Sequence, residues 1–392
     1  MYRDKQILLN EKRIKQKLTK KKTNKNNLKY KSKTKKKSKK KPVKKKKTFF
    51  KKIKITTLII FIISFLSLLS LLIYKKYIKK EMHNIPIAFS LNTKYLYPLI
   101  VSLTSILYNA SPYTFYVFYL LLSPDLQDNS IQKILGLREK YPNCRMELIY
   151  MGKKFAKYHS SYYKSVTVYY RLELSNLITD VDKLIYLDAD TIVHKDLTEF
   201  YNLDMGKNYY MGFPAHDLTY REFNGTRNFI NSGVMLINLK KLREVNAPIL
   251  LQDYYNKYGT KKVDEYLINA VFYDKVSFLP LVYGVPDFGA GETITKSPSY
   301  FLRKFNNLTN YTVEDMRYAH KNRVITHNCY ELTKWWMRNY HQLTNVGKQW
   351  LFYAARSHVV DEICKYYHQF ESHCDKIKNE SSLNLTKLLN NI

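Results

Sequence analysis

Within the ten residues LIYLDADTIV, from Leu184 to Val193, two carboxylates stand one small residue apart: Asp188, Ala189, Asp190. The apolar run before them reads as a buried strand, and in an extended chain positions i and i+2 share a side. Both carboxylates therefore leave the carboxyl end of the strand together, where open α/β sheets bind their ligands. Charged oxygens held this close repel unless a cation sits between them, and hard oxygen donors favour Mg²⁺ or Mn²⁺. The natural cargo of such a cation is a diphosphate. The competing reading, for these two residues alone, is a capped turn that opens the next element.

The elements that must position this pair are visible as an alternation. Strand-like runs at 85–91, 113–121, 145–150 and 183–187 are separated by helical patterns at 94–108, 130–140 and 166–178. Such alternation predicts a mainly parallel sheet covered on both faces. A second section adds strands at 209–213, 233–238 and 276–279, helices at 239–258 and 264–272, and a closing helix at 347–370. No internal repeat is present.

The formal charge of +34 suggests a nucleic-acid binder until its location is read. Residues 1–54 hold 26 of the 66 lysines and arginines against two acids, whereas beyond position 81 there are 36 basic and 29 acidic residues. The folded part is thus not unusually basic, and no nucleic-acid partner is expected. Residues 1–54 are too charged to fold and read as a disordered cytosolic tail. Residues 55–74, ITTLIIFIISFLSLLSLLIY, carry no charge and are long enough for a transmembrane helix. With the heavier positive load ahead of it, this signal-anchor implies a type II membrane protein, its amino terminus in the cytosol and the remainder luminal, in the Golgi rather than the endoplasmic reticulum. A stem at 75–84, a catalytic domain at 85–345 and a helical extension at 346–392 complete the expected organisation. Sequons at Asn109, Asn224, Asn307, Asn310, Asn379 and Asn384, and all four cysteines, lie beyond the span; their spacing matches no zinc pattern, and a bridge from Cys364 to Cys374 is the suggested pair.

Five blocks, in order, carry a resemblance: IPIAFSLNTKYLYPLIVSLTSIL; YYRLELSNLI running to LIYLDADTIV; FINSGVMLINLKKLRE; DEYLINAVFYDKVSFLPLVYGV; and VITHNCYELTKWW. Together they resemble the family 8 glycosyltransferases, the group of glycogenin and the bacterial lipopolysaccharide galactosyl- and glucosyltransferases, over about 85–345. The resemblance implies a GT-A type, Rossmann-like mixed α/β sheet flanked by helices. It also implies a UDP-sugar donor, a divalent cation, a carbohydrate-bearing acceptor, and transfer of a hexose or pentose with retention of configuration.

The same resemblance implies roles. Asp188 and Asp190 match the metal-binding pair and His327 the third ligand, a donor set that suits Mn²⁺ better than Mg²⁺. Arg171 matches an arginine near the diphosphate and sugar, and its planar fork of donors suits that task. Ser90, Asn92 and Tyr95 match the uridine-contacting segment, with Asn92 where many relatives have Asp. Asn231, Ser232 and Gly233 match the block lining the donor sugar, beside Ala189. Asp264 and Glu265 match a pair near the reacting carbon, with Glu265 in place of the more usual Gln. A carboxylate there can stabilise oxocarbenium charge or attack the anomeric carbon. In the last block Tyr330 replaces a Gly, Lys334 comes one residue late for its diphosphate role, and Trp335 replaces a Pro. The functional expectation is a retaining glycosyltransferase; the alternative is a degenerate relative that binds a nucleotide sugar or glycan without turnover.

Overall fold

The computed structural model describes residues 57–70, 82–158, 165–215, 229–258, 263–286, 311–328 and 334–379. The lysine-rich tail, most of the stem, Tyr330 and the sequons at Asn224, Asn307, Asn310 and Asn384 lie outside them. The chain divides into two compact units, Met1–Lys79 and Lys80–Ile392.

In the first unit the apolar run is helical over residues 57–70, with its large apolar side chains exposed. Among the described residues, no helix is long and apolar enough to cross a membrane. That finding stands against the expected single-pass type II topology and luminal Golgi placement and leaves the expected membrane partner without support; residues 55–56 and 71–74 of the expected span lie outside the described residues.

The second unit is built on a seven-stranded sheet and a three-stranded one. The strands are β1 (His83–Leu91), β2 (Thr114–Leu122), β3 (Cys144–Tyr150), β4 (Lys183–Leu187), β5 (Thr191–Val193), β6 (Tyr210–Pro214), β7 (Ile230–Asn238), β8 (Val276–Phe278), β9 (Val285–Pro286) and β10 (Ile325–His327). The large sheet runs β3-β2-β1-β4-β7-β6-β8, and the small one β5-β10-β9. Strands β1 to β4 are parallel, whereas β7 is antiparallel to both β4 and β6, so the sheet is mixed. The chain moves outward from β1 to β3 and then returns to β4 on the other side of β1. That reversal makes the carboxyl ends of β1 and β4 the switch point at which such sheets bind ligands.

Both faces are covered, which is why the strands read as near-continuous apolar runs. Along β1 and β2, Ile85, Ile87, Phe89, Tyr116, Phe118 and Leu120 pack into one core, while Ala88, Val117, Tyr119 and Leu121 pack into the other. The helices needed below are α1 (Leu96–Tyr108), α2 (Asp128–Leu135), α3 (Leu239–Glu244), α4 (Ala247–Tyr258), α5 (Asp264–Val271), α6 (Val313–Asn322), α7 (Asn345–Ala354) and α8 (Val360–Tyr366). Members of α1, α7 and α8 lie in the first core, and members of α3, α4 and α5 in the second. The amide of Asn109 donates to Ser105 O (2.9 Å), Val193 O (3.0 Å) and Tyr353 Oη (2.8 Å), so this sequon asparagine pins α1 to β5 and α7.

Three elements differ from expectation. The helix expected over 166–178 is a 3₁₀ segment, Val166–Glu173, followed by one α-turn, Leu174–Leu177. Three consecutive β-branched residues, Val166 to Val168, disfavour an α-helical start. The helix expected over 347–370 breaks after Ala354, where Ser357 Oγ donates to Ala354 O (2.7 Å) and competes with the helical ladder. Strand β7 begins at Ile230, earlier than expected, because its register to β6 slips between Gly212 and Phe213. The bulge re-aims Asn231 and Ser232 without ending the strand.

Candidate functional site

The turn between β4 and β5 carries Asp188, Ala189 and Asp190, and it is pinned at both ends. Asp188 N donates to Gly233 O (2.8 Å), and Asn328 N donates to Asp190 O (3.0 Å). Antiparallel pairing sets His327 of β10 opposite Thr191 of β5, which carries the imidazole over the turn. His327 Nε2 lies 3.2 Å from Asp190 Oδ1 and 3.7 Å from Asp188 Oδ2. Candidate ligand atoms of all three residues fall within 4.8 Å of one another. Asp190 and His327 are buried, while the Asp188 side chain keeps 29% of its surface, so a ligand approaches from that side.

A divalent cation fits this arrangement on grounds of structure as well as donor type. Asp190 Oδ1 is buried and accepts no well-aligned hydrogen bond among the described residues, while its 3.2 Å approach to His327 Nε2 brings two candidate ligand atoms together. Gly233 also forms the wall of the cradle. A Cβ there would collide with the His327 ring and come within 2.6 Å of Asp188 Oδ2, so only glycine leaves the space open. Burial works to raise the Asp190 carboxyl, but Lys334 and His327 outweigh it and hold the group well below the usual carboxylate range. It is therefore ionised at any physiological pH, as a ligand must be.

Arg171, on the 3₁₀ segment, is no surface charge: it is almost wholly buried. Its guanidinium pairs with Asp188 Oδ1 (2.8 Å) and Asp264 Oδ2 (3.1 Å), donates to Ser232 O and Oγ, and lies 4.3 Å from the centroid of the Tyr186 ring. It thereby ties the metal-ligand turn to the start of α5. Ser232 Oγ donates to Asp264 Oδ2 (2.7 Å), and Glu265 Oε2 accepts from Asn231 Nδ2 (2.8 Å) and Ser232 N (3.3 Å). Burial raises the Asp264 carboxyl despite Arg171. Burial, and then the charge of Asp264, push Glu265 up to about 7. At neutral pH Glu265 is poised between acid and carboxylate.

The remaining sequence-predicted residues divide into those joined to this centre and those beside it. Lys334, although one residue late, donates to Asp190 Oδ2 and to Asn328 O (2.6 Å). Ser90 is reached through Tyr186, whose hydroxyl lies 3.1 Å from Ser90 Oγ and 3.3 Å from Asp188 Oδ1. Asn92 caps the turn after β1, its Oδ1 accepting from Tyr95 N (3.2 Å) and its Nδ2 donating to Ser165 Oγ (3.0 Å). Tyr95 packs edge-on against Trp336 at 5.9 Å. The Ala189 side chain is in the core, which leaves its backbone for a ligand. Sequence reasoning missed Tyr186, Ser165 and Asn328. Tyr186 was legible, being two residues before Asp188 and hence on the same face; Ser165 and Asn328 enter only through tertiary placement.

A parallel-to-mixed sheet with an Asp-x-Asp turn and a histidine at its switch point defines a GT-A-like enzyme class. The chain belongs to glycosyl transferase family 8, whose model matches residues 86–309. A putative glycosyltransferase of Haemophilus influenzae is 32% identical over 127 residues, 30% of this chain and 38% of the relative. A lipopolysaccharide 1,2-glucosyltransferase of Escherichia coli is 25% identical over 246 residues, covering 58% of this chain and 70% of that protein. Among solved structures, the galactosyltransferase LgtC with donor and acceptor sugar analogues superposes with a TM-score of 0.59 at 21% identity, over 72% of this chain and all of that one, a likeness of fold. The chain spans 38, 48 and 29% of the lengths of the first three curated relatives it matches.

Proposed function

We propose that this chain is a retaining glycosyltransferase that takes a hexose or pentose from a UDP-sugar and passes it to a carbohydrate-bearing acceptor, with Mn²⁺, or Mg²⁺, held by Asp188, Asp190 and His327. The observation that carries this reading is the convergence of those three ligands with a second acidic pair, Asp264 and Glu265, on one buried arginine. A bound cation would supply charge neutralisation for the departing diphosphate. The chain's own residues do the rest. Arg171 fixes Asp188 and Asp264 in one rigid frame, so neither carboxylate needs to reorganise as charge moves. Lys334 brings a second positive group to the diphosphate side, and the segment Ser90, Asn92 and Tyr95 offers a polar turn and a ring for the base. Asn231 and Ser232 hold Glu265 by one oxygen, leaving the carboxyl to face positive charge that develops at the anomeric carbon.

The test is UDP release by the full chain from a panel of UDP-sugars with Mn²⁺, alongside Asp188→Asn. The expected result is metal-dependent release from one donor, reduced at least about a hundredfold in the variant. UDP binding without release from any donor, with or without simple sugar acceptors, would move the assignment to a nucleotide-sugar-binding relative.

A further inference from the structure

Strands β1 to β4 are parallel, so the turn that follows β3 opens on the same edge of the sheet as Asp188 after β4. That turn, residues 151–158, reads MGKKFAKY and presents Lys153, Lys154 and Lys157. It closes one side of a cleft of about 380 Å³ whose other walls are Leu172 and Glu173 of the 3₁₀ segment and Pro248 and Leu251 of α4. The volume falls in the roughly 300–1,000 Å³ range of small-molecule sites.

Two properties make the cleft more than a gap between elements. First, its rim is cationic and only partly neutralised. Lys154 pairs with Glu173 (2.8 Å), whereas Lys153 and Lys157 are exposed and make no ion pair among the described residues. Second, its lining includes the aromatic rings of Phe155 and Tyr158. Phe155 packs against Tyr158 (4.8 Å), and Tyr158 against Tyr255 of α4 (3.8 Å). Phe155 adopts φ of 66°, a left-handed conformation costly for a bulky residue, with its ring packed among Tyr158, Tyr169 and Tyr170.

We propose that this cleft is a binding subsite for a phosphate-bearing sugar, and that it receives the anionic part of the acceptor glycan. The apolar rings suit the C–H face of a pyranose, and the exposed Lys153 and Lys157 at the rim suit a phosphate. Leu172 and Glu173 directly follow Arg171, so the element that lines the cleft also frames the metal turn. An acceptor anchored here and extended along the sheet edge lies on the side where transfer takes place. The acceptor assignment rests on the glycosyltransferase reading; the subsite itself does not.

The experiment is titration of the full chain, with UDP and Mn²⁺ present to fill the donor site, using glucose 6-phosphate, glucose and inorganic phosphate as probes, with binding read by calorimetry. Glucose 6-phosphate is expected to bind about tenfold tighter than either other probe, and about tenfold weaker after Lys153→Gln with Lys157→Gln, two exposed positions that spare the fold. Inorganic phosphate binding as tightly as the sugar phosphate, an unaltered affinity in the double variant, or no binding at all would each overturn the proposal. A parallel titration with UDP alone separates the two claims: no UDP binding defeats the glycosyltransferase reading, while the lysine variants still report on the cleft.

Discussion

Glu265 is the residue whose chemistry the structure sharpens most. Burial and Asp264 lift its carboxyl from 4.5 to about 7. The folded protein therefore keeps the proton over a range where the unfolded chain has lost it. This stabilisation is complete below about pH 4.5 and disappears as pH rises through 7, with a size on the order of 2 kcal/mol after allowance for the partial exposure of the group. Glu265→Gln preserves an acceptor for Asn231 Nδ2 and Ser232 N but removes the titration. The expected outcome is a flatter denaturation midpoint between pH 4.5 and 7 than in the wild type. In the proposed reaction, the ionised form is the one that would face developing positive charge. The wild-type rate should rise through about pH 7, and the variant should be about a hundredfold slower, with that rise absent. Full turnover in the glutamine variant would remove Glu265 from the chemistry. Asp188 and Asp190 were legible at this scale because their spacing alone fixes their common face. Glu265's state was not, since it depends on burial among residues far apart in the chain.

At the scale of elements, alternation of apolar runs gave β1 to β4 and the parallel half of the sheet, because strands buried on both faces announce themselves. The small β5-β10-β9 sheet stayed hidden: strands of two or three residues carry too little pattern, yet this sheet delivers His327. A tertiary cause likewise set the true start of β7. The slip at Gly212 exists because that backbone passes within reach of β7, and a Cβ at 212 would come 2.9 Å from both Asn231 O and Ile230 Cβ. Gly212→Ala should push β7 outward and disturb Asn231 and Ser232 together, although a Cβ there meets neither Asp264 nor Glu265. The expected cost is about 1–3 kcal/mol in stability, with a rise in the KM for the donor larger than the fall in kcat. An unchanged KM with the same loss of stability would show that the bulge serves packing alone.

Across the whole second unit, the site depends on helices distant from it in sequence. Trp350 of α7 packs near Trp336 (5.8 Å), and Trp336 meets Tyr95 at the turn after β1, so the closing helices brace the segment assigned to the base. On the next helix, Tyr97 of α1 packs against Tyr366 (4.9 Å) and donates to Glu362 Oε2 (3.2 Å), while Lys133 of α2 pairs with the same carboxylate. A disulfide joins Cys364 of α8 to Cys374, ten positions on, the pair suggested by the sequence; among the described residues this leaves Cys144 as a buried free thiol, Cys329 lying outside them. A loop of this length restrains the unfolded chain by about 2–3 kcal/mol in the chain-entropy account. Cys364→Ser should therefore lower the unfolding free energy read from a denaturant titration by about that amount. Because the bridge fastens the outer side of this brace and touches no site residue, kcat measured well below the unfolding temperature should stay unchanged. A fall in kcat without a fall in stability would mean that α8 steers the turn after β1 directly, and would place the brace within the working parts of the enzyme.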